Sequence, residues 1–263
     1  MKVKLLQMTQ NPIDIMWTAA RTCYSAKSPI EMWEDVEEFY VNPDNVSVDN
    51  YKQLEDKHWN LVKKVLSSGH ASIAEHINFT FAIEGVSRAL LAQLTRHRAG
   101  VVFSVASQRY IEIKEDISLL EGKNFGSATY LQETEVIKML DKYFIWNHQS
   151  YTQFHALTQA LYCYLFQVRE GIKPEDARMV LPNATKTNIT MTINLRELMH
   201  ISNLRLCTKA QLEIRQLFQE IKKEVEKAEP RLAEFLVPKC INDGYCREAK
   251  PCYYYKKVLN NEE

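Results

Sequence analysis

The chain has 263 residues, 46% of them hydrophobic, with 33 basic residues against 33 acidic ones. That length leaves room for a large core, and a net charge of zero argues against a general binder of nucleic acid or anionic membrane, so any anion site has to be local. No apolar run approaches the ~18 residues of a membrane span, and the apolar run in MKVKLLQM is too short for a signal peptide, which points to a soluble cytoplasmic protein.

Lys2 to Met8 alternates apolar and polar side chains and predicts a strand. Asn11 followed by Pro12 predicts a helix start, with Asn11 as cap, for a helix carrying Ile15, Met16, Ala19, Ala20 and Cys23. Ser28 to Asp49 reads as an acidic, irregular insertion, and Val46 to Ser68 as a helix through Leu54, Trp59, Leu61 and Val65 that ends at Gly69. Ile77, Phe79, Phe81 and Ile83 alternate like a half-buried strand, and Ser72 and Glu75 ahead of it have the spacing of a capping box.

Val86, Leu90, Leu91 and Leu94 repeat with helical period up to Gly100. From Gln93 to Tyr110 the chain reads QLTRHRAGVVFSVASQRY, in which Arg96, His97, Arg98 and Arg109 accompany Ser104 and Ser107 with no carboxylate among them. Guanidinium forks match phosphate and carboxylate oxygens. The Arg96-His97-Arg98 triplet either offsets the negative end of a helix macrodipole or, fanned around the axis, reaches different groups of one large ligand or of two subunits.

Leu131 to Gly171 is a helical scaffold with Phe154, Leu157, Leu161, Tyr164 and Val168 recurring at three and four residues. Pro174-Glu175-Asp176 opens a further helix, and Thr185 to Leu195 alternates as a strand. In the stretch from 194 to 215, Asn194, Leu198, Ile201, Arg205 and Lys209 share one face of a continuous helix, while Arg196, His200, Asn203 and Cys207 share the opposite one. Cys23, Cys163 and Cys207 lie in apolar helical patterns and are expected as buried reduced thiols. Cys240, Cys246 and Cys252 are separated by five residues each, which is not a zinc-knuckle spacing, and no histidine lies nearby. The three could bind a metal, but a packed or locally cross-linked tail is the expectation.

Seven glycines and no glycine-rich loop argue against a Rossmann turn. The element order predicts an α+β fold with a mostly antiparallel sheet flanked by long helices, as one domain over 1–263 with a cysteine-containing tail from about 237.

Arg96-His97-Arg98 followed by Ser107-Gln108-Arg109-Tyr110 resembles the signature of the flavin-dependent thymidylate synthases, the ThyX family. The spacer from Ala99 to Ala106 is one residue longer than usual, and Val105 stands where an acidic residue is common. Ser72-x-x-Glu75-His76, Ala177-Arg178-x-x-Leu181-Pro182, Asn194-x-Arg196 and Leu204-Arg205-x-x-x-x-Ala210-Gln211-x-Glu213-Ile214 extend the likeness over nearly the whole chain.

The resemblance implies reductive methylation of dUMP to dTMP. The carbon would come from 5,10-methylenetetrahydrofolate and the reducing equivalents from NADPH through FAD, in a homotetramer whose active sites are shared between chains. It implies dUMP contacts at Gln93, Leu94, Thr95, Arg96, Ser107, Gln108, Arg109, Arg178 and Arg205, and FAD contacts at Ser72, Arg96, His97, Arg98, Asn194, Leu195, Arg196 and His200. His200 occupies a variable position, and Lys209 one that is often histidine.

Uracil carbon 5 is a poor nucleophile, and one solution attaches a cysteine thiolate to carbon 6. Cys207 falls on the other side of the helical wheel from Arg205 and is discounted. The resemblance instead implies electrostatic activation by Arg205. A rival reading is a non-catalytic nucleotide-binding or regulatory relative, which would need the phosphate arginines but has no use for Asn194-x-Arg196 together with Arg205. An RNA-binding module would need a basic stripe with interleaved aromatics, and none is present.

Overall fold

The computed structural model describes residues 1–41, 48–121 and 134–253. Four strands, β1 (Lys2–Met8), β2 (Asn78–Ser87), β3 (Val101–Val105) and β4 (Lys186–Asn194), form one sheet in the order β1-β2-β4-β3. The pairing is antiparallel throughout. The Thr9 amide donates to the Asn78 carbonyl beyond the end of β1 (3.0 Å), while Met1 lies beside Gly85 near the end of β2. Thr80 pairs with Thr192 (3.0 Å) and Gly85 with Asn188 (3.1 Å), so β2 and β4 run in opposite directions. Ala106 with Asn188 (2.9 Å) and Asn194 with Gly100 (2.9 Å) do the same for β4 and β3.

The period-two patterns decide which side chains go inside. Phe79, Phe81 and Ile83 of β2 and Ile189, Met191 and Ile193 of β4 are buried, alternating with more exposed neighbours. Each such side chain contributes about 1.5–3 kcal/mol on burial.

The chain falls into two compact units. The first comprises Met1–Val3, Ala82–His97 and Phe103–Thr190. Its helices are α4 (Arg88–Leu94), α5 (Thr134–Tyr143), α6 (Tyr151–Arg169) and the short α7 (Pro174–Ala177). Val136, Leu140, Phe144, Phe154, Leu161 and Tyr164 centre its core. The helical scaffold expected over 131–171 is thus two helices, interrupted by a segment in which Phe144 bridges to Thr185; residues 131–133 lie outside the described residues.

The second unit comprises Lys4–Phe81, Arg98–Val102 and Met191–Glu263. It contains α1 (Pro12–Thr22), α2 (Pro29–Val41), α3 (Val48–Ser67), α8 (Leu195–Arg205), α9 (Leu212–Ala228), α10 (Pro230–Ala233) and α11 (Lys239–Asp243). α1 packs on α3, and α8 packs on α9 and α11. Arg231 ties the C-terminal side of α9 to α3 through Glu229 (2.8 Å) and Glu55 (2.5 Å).

Several expectations change. The segment from Ser28 is not an irregular insertion: Pro29–Val41 is helical, opened by a reciprocal capping box in which the Glu31 amide donates to Ser28 Oγ (3.2 Å) and the Ser28 amide to Glu31 Oε2 (2.7 Å). Residues 42–47 lie outside the described residues. Pro12 opens α1 as expected, but Asn11 sits in the left-handed region (φ 47°) and makes no side-chain cap; its carbonyl accepts the Ile15 amide instead (3.1 Å). Cys23 and Cys163 are exposed and Cys207 is half-buried, so none of the three is a core thiol. Helical period places a residue on a stripe, and its distance from the centre of that stripe sets its burial.

Candidate active site

In the first unit, the Ser87 hydroxyl caps α4 by accepting the Leu90 amide (3.0 Å). The helix stops at Leu94, where both the amide and the hydroxyl of Thr95 use the Leu91 carbonyl (2.9 Å each). Arg96 and His97 therefore follow the helix end as an irregular turn, and the picture of a triplet fanned around a helix does not hold. Leu94 is buried in the core and the Thr95 hydroxyl is engaged locally, so a ligand would meet these two through the backbone. Gln93 is half-buried. Arg96 makes no ion pair among the described residues and is exposed.

β3 ends before Ala106, and Ser107 turns the chain: its Oγ accepts the Arg109 amide (3.2 Å), and its carbonyl accepts the Ile111 amide (2.9 Å). Gln108 lies within that turn. The stretch from 93 to 110 holds no carboxylate, but Glu175 of α7 pairs with Arg109 (2.6 Å). The Arg109 side chain is 58% exposed, so this pair is weak and readily exchanged for a stronger anion. Arg178 donates from Nε to the Glu175 carbonyl (2.9 Å).

Arg88 belongs to the same group and was not singled out from the sequence. It donates to the Ala106 carbonyl (3.0 Å), its buried Nε has no partner among the described residues, and burial first and the nearby Arg178 second hold its guanidinium below the usual arginine range. A signal existed: a cation in the first turn of a helix opposes the macrodipole, so Arg88 directly after the Ser87 cap is electrostatically misplaced unless an anion comes to it. An unused buried donor on a guanidinium that also feels a second cation suits an oxyanion.

In the second unit, Ser72 lies exposed in a 3₁₀ turn over Ala71–His76. The capping-box reading fails there. The turn has no side-chain cap, and Glu75 forms an ion pair with Arg196 instead. Arg98 is exposed, with no ion pair among the described residues, and leads into Gly100, whose φ of 63° favours glycine. The Gly100 carbonyl accepts the Asn194 amide (2.9 Å), and Asn194 Oδ1 caps α8 by accepting the Glu197 amide (2.9 Å). Leu195 is buried, and its amide donates to the Ile77 carbonyl (2.8 Å).

Burial pushes the half-buried Glu197 carboxyl up, with His200 one turn along α8 opposing the shift. Arg196 and His200 are exposed, whereas Leu198 and Ile201 are buried, so the two expected faces hold over Leu195–Arg205. They do not continue to residue 215. α8 ends at Arg205, the Ala210 amide turns back to the Cys207 carbonyl (3.0 Å), and α9 begins at Leu212. Lys209 therefore shares no helix face with Arg205, and the helical-wheel argument against Cys207 loses its premise.

The expected dUMP residues Gln93, Leu94, Thr95, Arg96, Ser107, Gln108, Arg109 and Arg178 all lie in the first unit, together with Arg88. Arg205 lies in the second, with Ser72, Arg98, Asn194, Leu195, Arg196 and His200 from the expected flavin set; His97, also in that set, lies in the first.

A family model described as "Thymidylate synthase complementing protein" matches residues 4–231, a span that runs through both units. The chain is 34% identical over 259 residues to a flavin-dependent thymidylate synthase of Clostridium tetani, covering 94% of this chain and 90% of the relative. It is 32% identical over 264 residues to the enzyme of that name from Pyrococcus abyssi, covering 98% and 94%. Among solved structures, the Helicobacter pylori flavin-dependent thymidylate synthase complexed with FAD and dUMP superposes with a TM-score of 0.66 at 25% identity, over 90% of this chain and 100% of the other.

Proposed function

Because this chain belongs to the flavin-dependent thymidylate synthases, we propose that it converts dUMP to dTMP, with 5,10-methylenetetrahydrofolate as carbon donor and NADPH as reductant acting through FAD. The observation that carries the substrate assignment is the Arg88–Arg178 pair, uncompensated and with a buried donor unused. A nucleotide phosphate supplies the missing charge and acceptor. Arg109 joins it by exchanging the Glu175 carboxylate for phosphate, and Ser107 holds the turn that presents Arg109 and Gln108.

The second unit offers a donor set that fits a flavin dinucleotide: the Ser72 hydroxyl, the Arg98 and Arg196 guanidiniums, the His200 imidazole, and Asn194 at the start of an 11-residue helix whose first amides favour phosphate. FAD, when bound there, supplies the hydride that completes the new methyl group. Arg205 is assigned the activating role: its guanidinium would stabilise the negative charge that develops on the pyrimidine as N3 loses its proton, which makes carbon 5 electron-rich. An oriented cation in a water-poor site contributes several kcal/mol to such a step.

Exposed apolar side chains in each unit, Tyr110 and Met179 in the first and Val102 and Leu212 in the second, support assembly of a homotetramer with shared sites. Purified protein is expected to be yellow, to elute as four chains by light scattering, to bleach on NADPH addition and to form dTMP. A colourless protein that binds dUMP and forms no dTMP with FAD supplied would establish the regulatory alternative.

Arg178→Ala should raise the dUMP concentration for half-maximal rate by about 10- to 100-fold, the value of a charge-assisted hydrogen bond, with little change in turnover at saturation. An unchanged KM in initial-rate kinetics would remove Arg178 from the phosphate site.

A further inference from the structure

Four of the six cysteines line a single cavity of the second unit. A cavity of about 490 Å³ beside the end of α8 is lined by Cys207, from the turn after Arg205, by Cys240 of α11, and by Cys246 and Cys252 of the tail. No disulfide is present. Cys207 stands more than thirty residues before the other three in sequence, and the fold places all four around one cavity.

The backbone is arranged for this convergence. The Arg215 guanidinium holds the Thr208 carbonyl (2.8 Å), which fixes the turn bearing Cys207. Gly244, at φ 75°, ends α11 in the left-handed conformation and reverses the chain towards Cys246. Arg247 then pairs with Asp243 (2.9 Å) and covers the Tyr245 ring (5.3 Å), closing that reversal.

We propose that Cys207, Cys240, Cys246 and Cys252 form a tetrathiolate site for a single structural zinc ion. Four sulfurs with no histidine match a closed zinc site, and no position is left open for a water or substrate. Charge supports the assignment. Zinc bound by four thiolates carries a net charge of −2, and the cavity wall presents Lys209, Arg215, Lys222, Lys239 and Arg247 against the single carboxylate of Glu248. Binding exchanges four thiol protons for one Zn²⁺, with no redox step.

No three of the sulfurs yet lie within 4.8 Å of one another, whereas Zn–S bonds of about 2.3 Å require sulfurs about 3.8 Å apart. The metal therefore draws the tail inward onto the turn that follows Arg205. It acts as a clamp between the C-terminal tail and the end of α8.

The test is metal content of the full-length protein, purified under reducing conditions, incubated with excess zinc chloride and desalted. About one zinc per chain is expected. After replacement by cobalt(II), the intense thiolate charge-transfer and visible bands of a tetrahedral sulfur site should appear. The Cys246→Ser/Cys252→Ser variant should lose at least ten-fold in zinc content while keeping its helical circular dichroism, and wild-type tail cleavage by trypsin should slow on zinc addition. Zinc-free wild-type protein, equal zinc in the double variant, iron in place of zinc, or an intact mass showing disulfides would each overturn the proposal. Metal content is read without reference to dTMP formation, so this result stands apart from the assigned activity.

Discussion

Arg205→Ala is expected to form dTMP roughly 10²- to 10³-fold more slowly than the wild type at saturating dUMP, the loss typical of removing one oriented donor from a developing anion. Arg205 is the last residue of α8 and half-buried, held by a helix whose Leu198 and Ile201 are anchored in the core. A lysine there would put a point charge on a flexible stem where a planar fork is needed. Arg205→Lys should recover little. Bound flavin should be retained, because the residues assigned to it are others. The deciding measurement is dTMP formation with flavin already reduced, which bypasses NADPH. A wild-type rate for Arg205→Ala under those conditions would show that the activating charge comes from elsewhere and would reopen the covalent route through a thiolate.

Gly100→Ala should abolish stable flavin binding while leaving the protein folded. A Cβ at residue 100 would lie 2.8 Å from Asn194 Cγ and 2.9 Å from Oδ1, so the amide has to move. Asn194 Oδ1 is the cap of α8, and losing it costs about 0.5–2 kcal/mol. Holding alanine in the left-handed region adds about 1–2 kcal/mol. The strain falls on the start of α8, where Asn194, Leu195 and Arg196 sit, so flavin occupancy should respond more strongly than the melting temperature. Flavin absorbance per chain after gel filtration measures the first and thermal unfolding the second. Full flavin occupancy in Gly100→Ala would exclude Asn194 from the cofactor site.

The strands were legible because burial on one face imposes period two, and β2 and β4 carry that alternation without interruption. α2 was missed for a local reason. Ser28 and Glu31 have capping-box spacing, but an acidic composition masked the helix that begins between them. The same spacing at Ser72 and Glu75 gave no cap, since Glu75 found Arg196, 121 residues away. Identical local patterns thus separated on a tertiary contact. The break between Arg205 and Leu212 was illegible for a related reason: every residue in it is compatible with a helix, and the turn is set by Ala210 to Cys207 and Arg215 to Thr208 bonds.

By itself, the sequence determined which side chains are available and how they are spaced along short elements: the Arg96-His97-Arg98 and Ser107-Gln108-Arg109 groups, the Asn194-x-Arg196 start of a helix, and the alternating strands. These depend on neighbours within a few residues, where propensity and periodicity operate. Tertiary structure decided what those side chains face. It set Arg88 beside Arg178, supplied Glu175 to Arg109, pressed Gly100 against Asn194, and gathered Cys207 with three cysteines more than thirty residues later. Charge compensation and cavity shape arise from groups distant in the chain, and only the packed fold brings those groups within the few ångströms over which hydrogen bonds and ion pairs act.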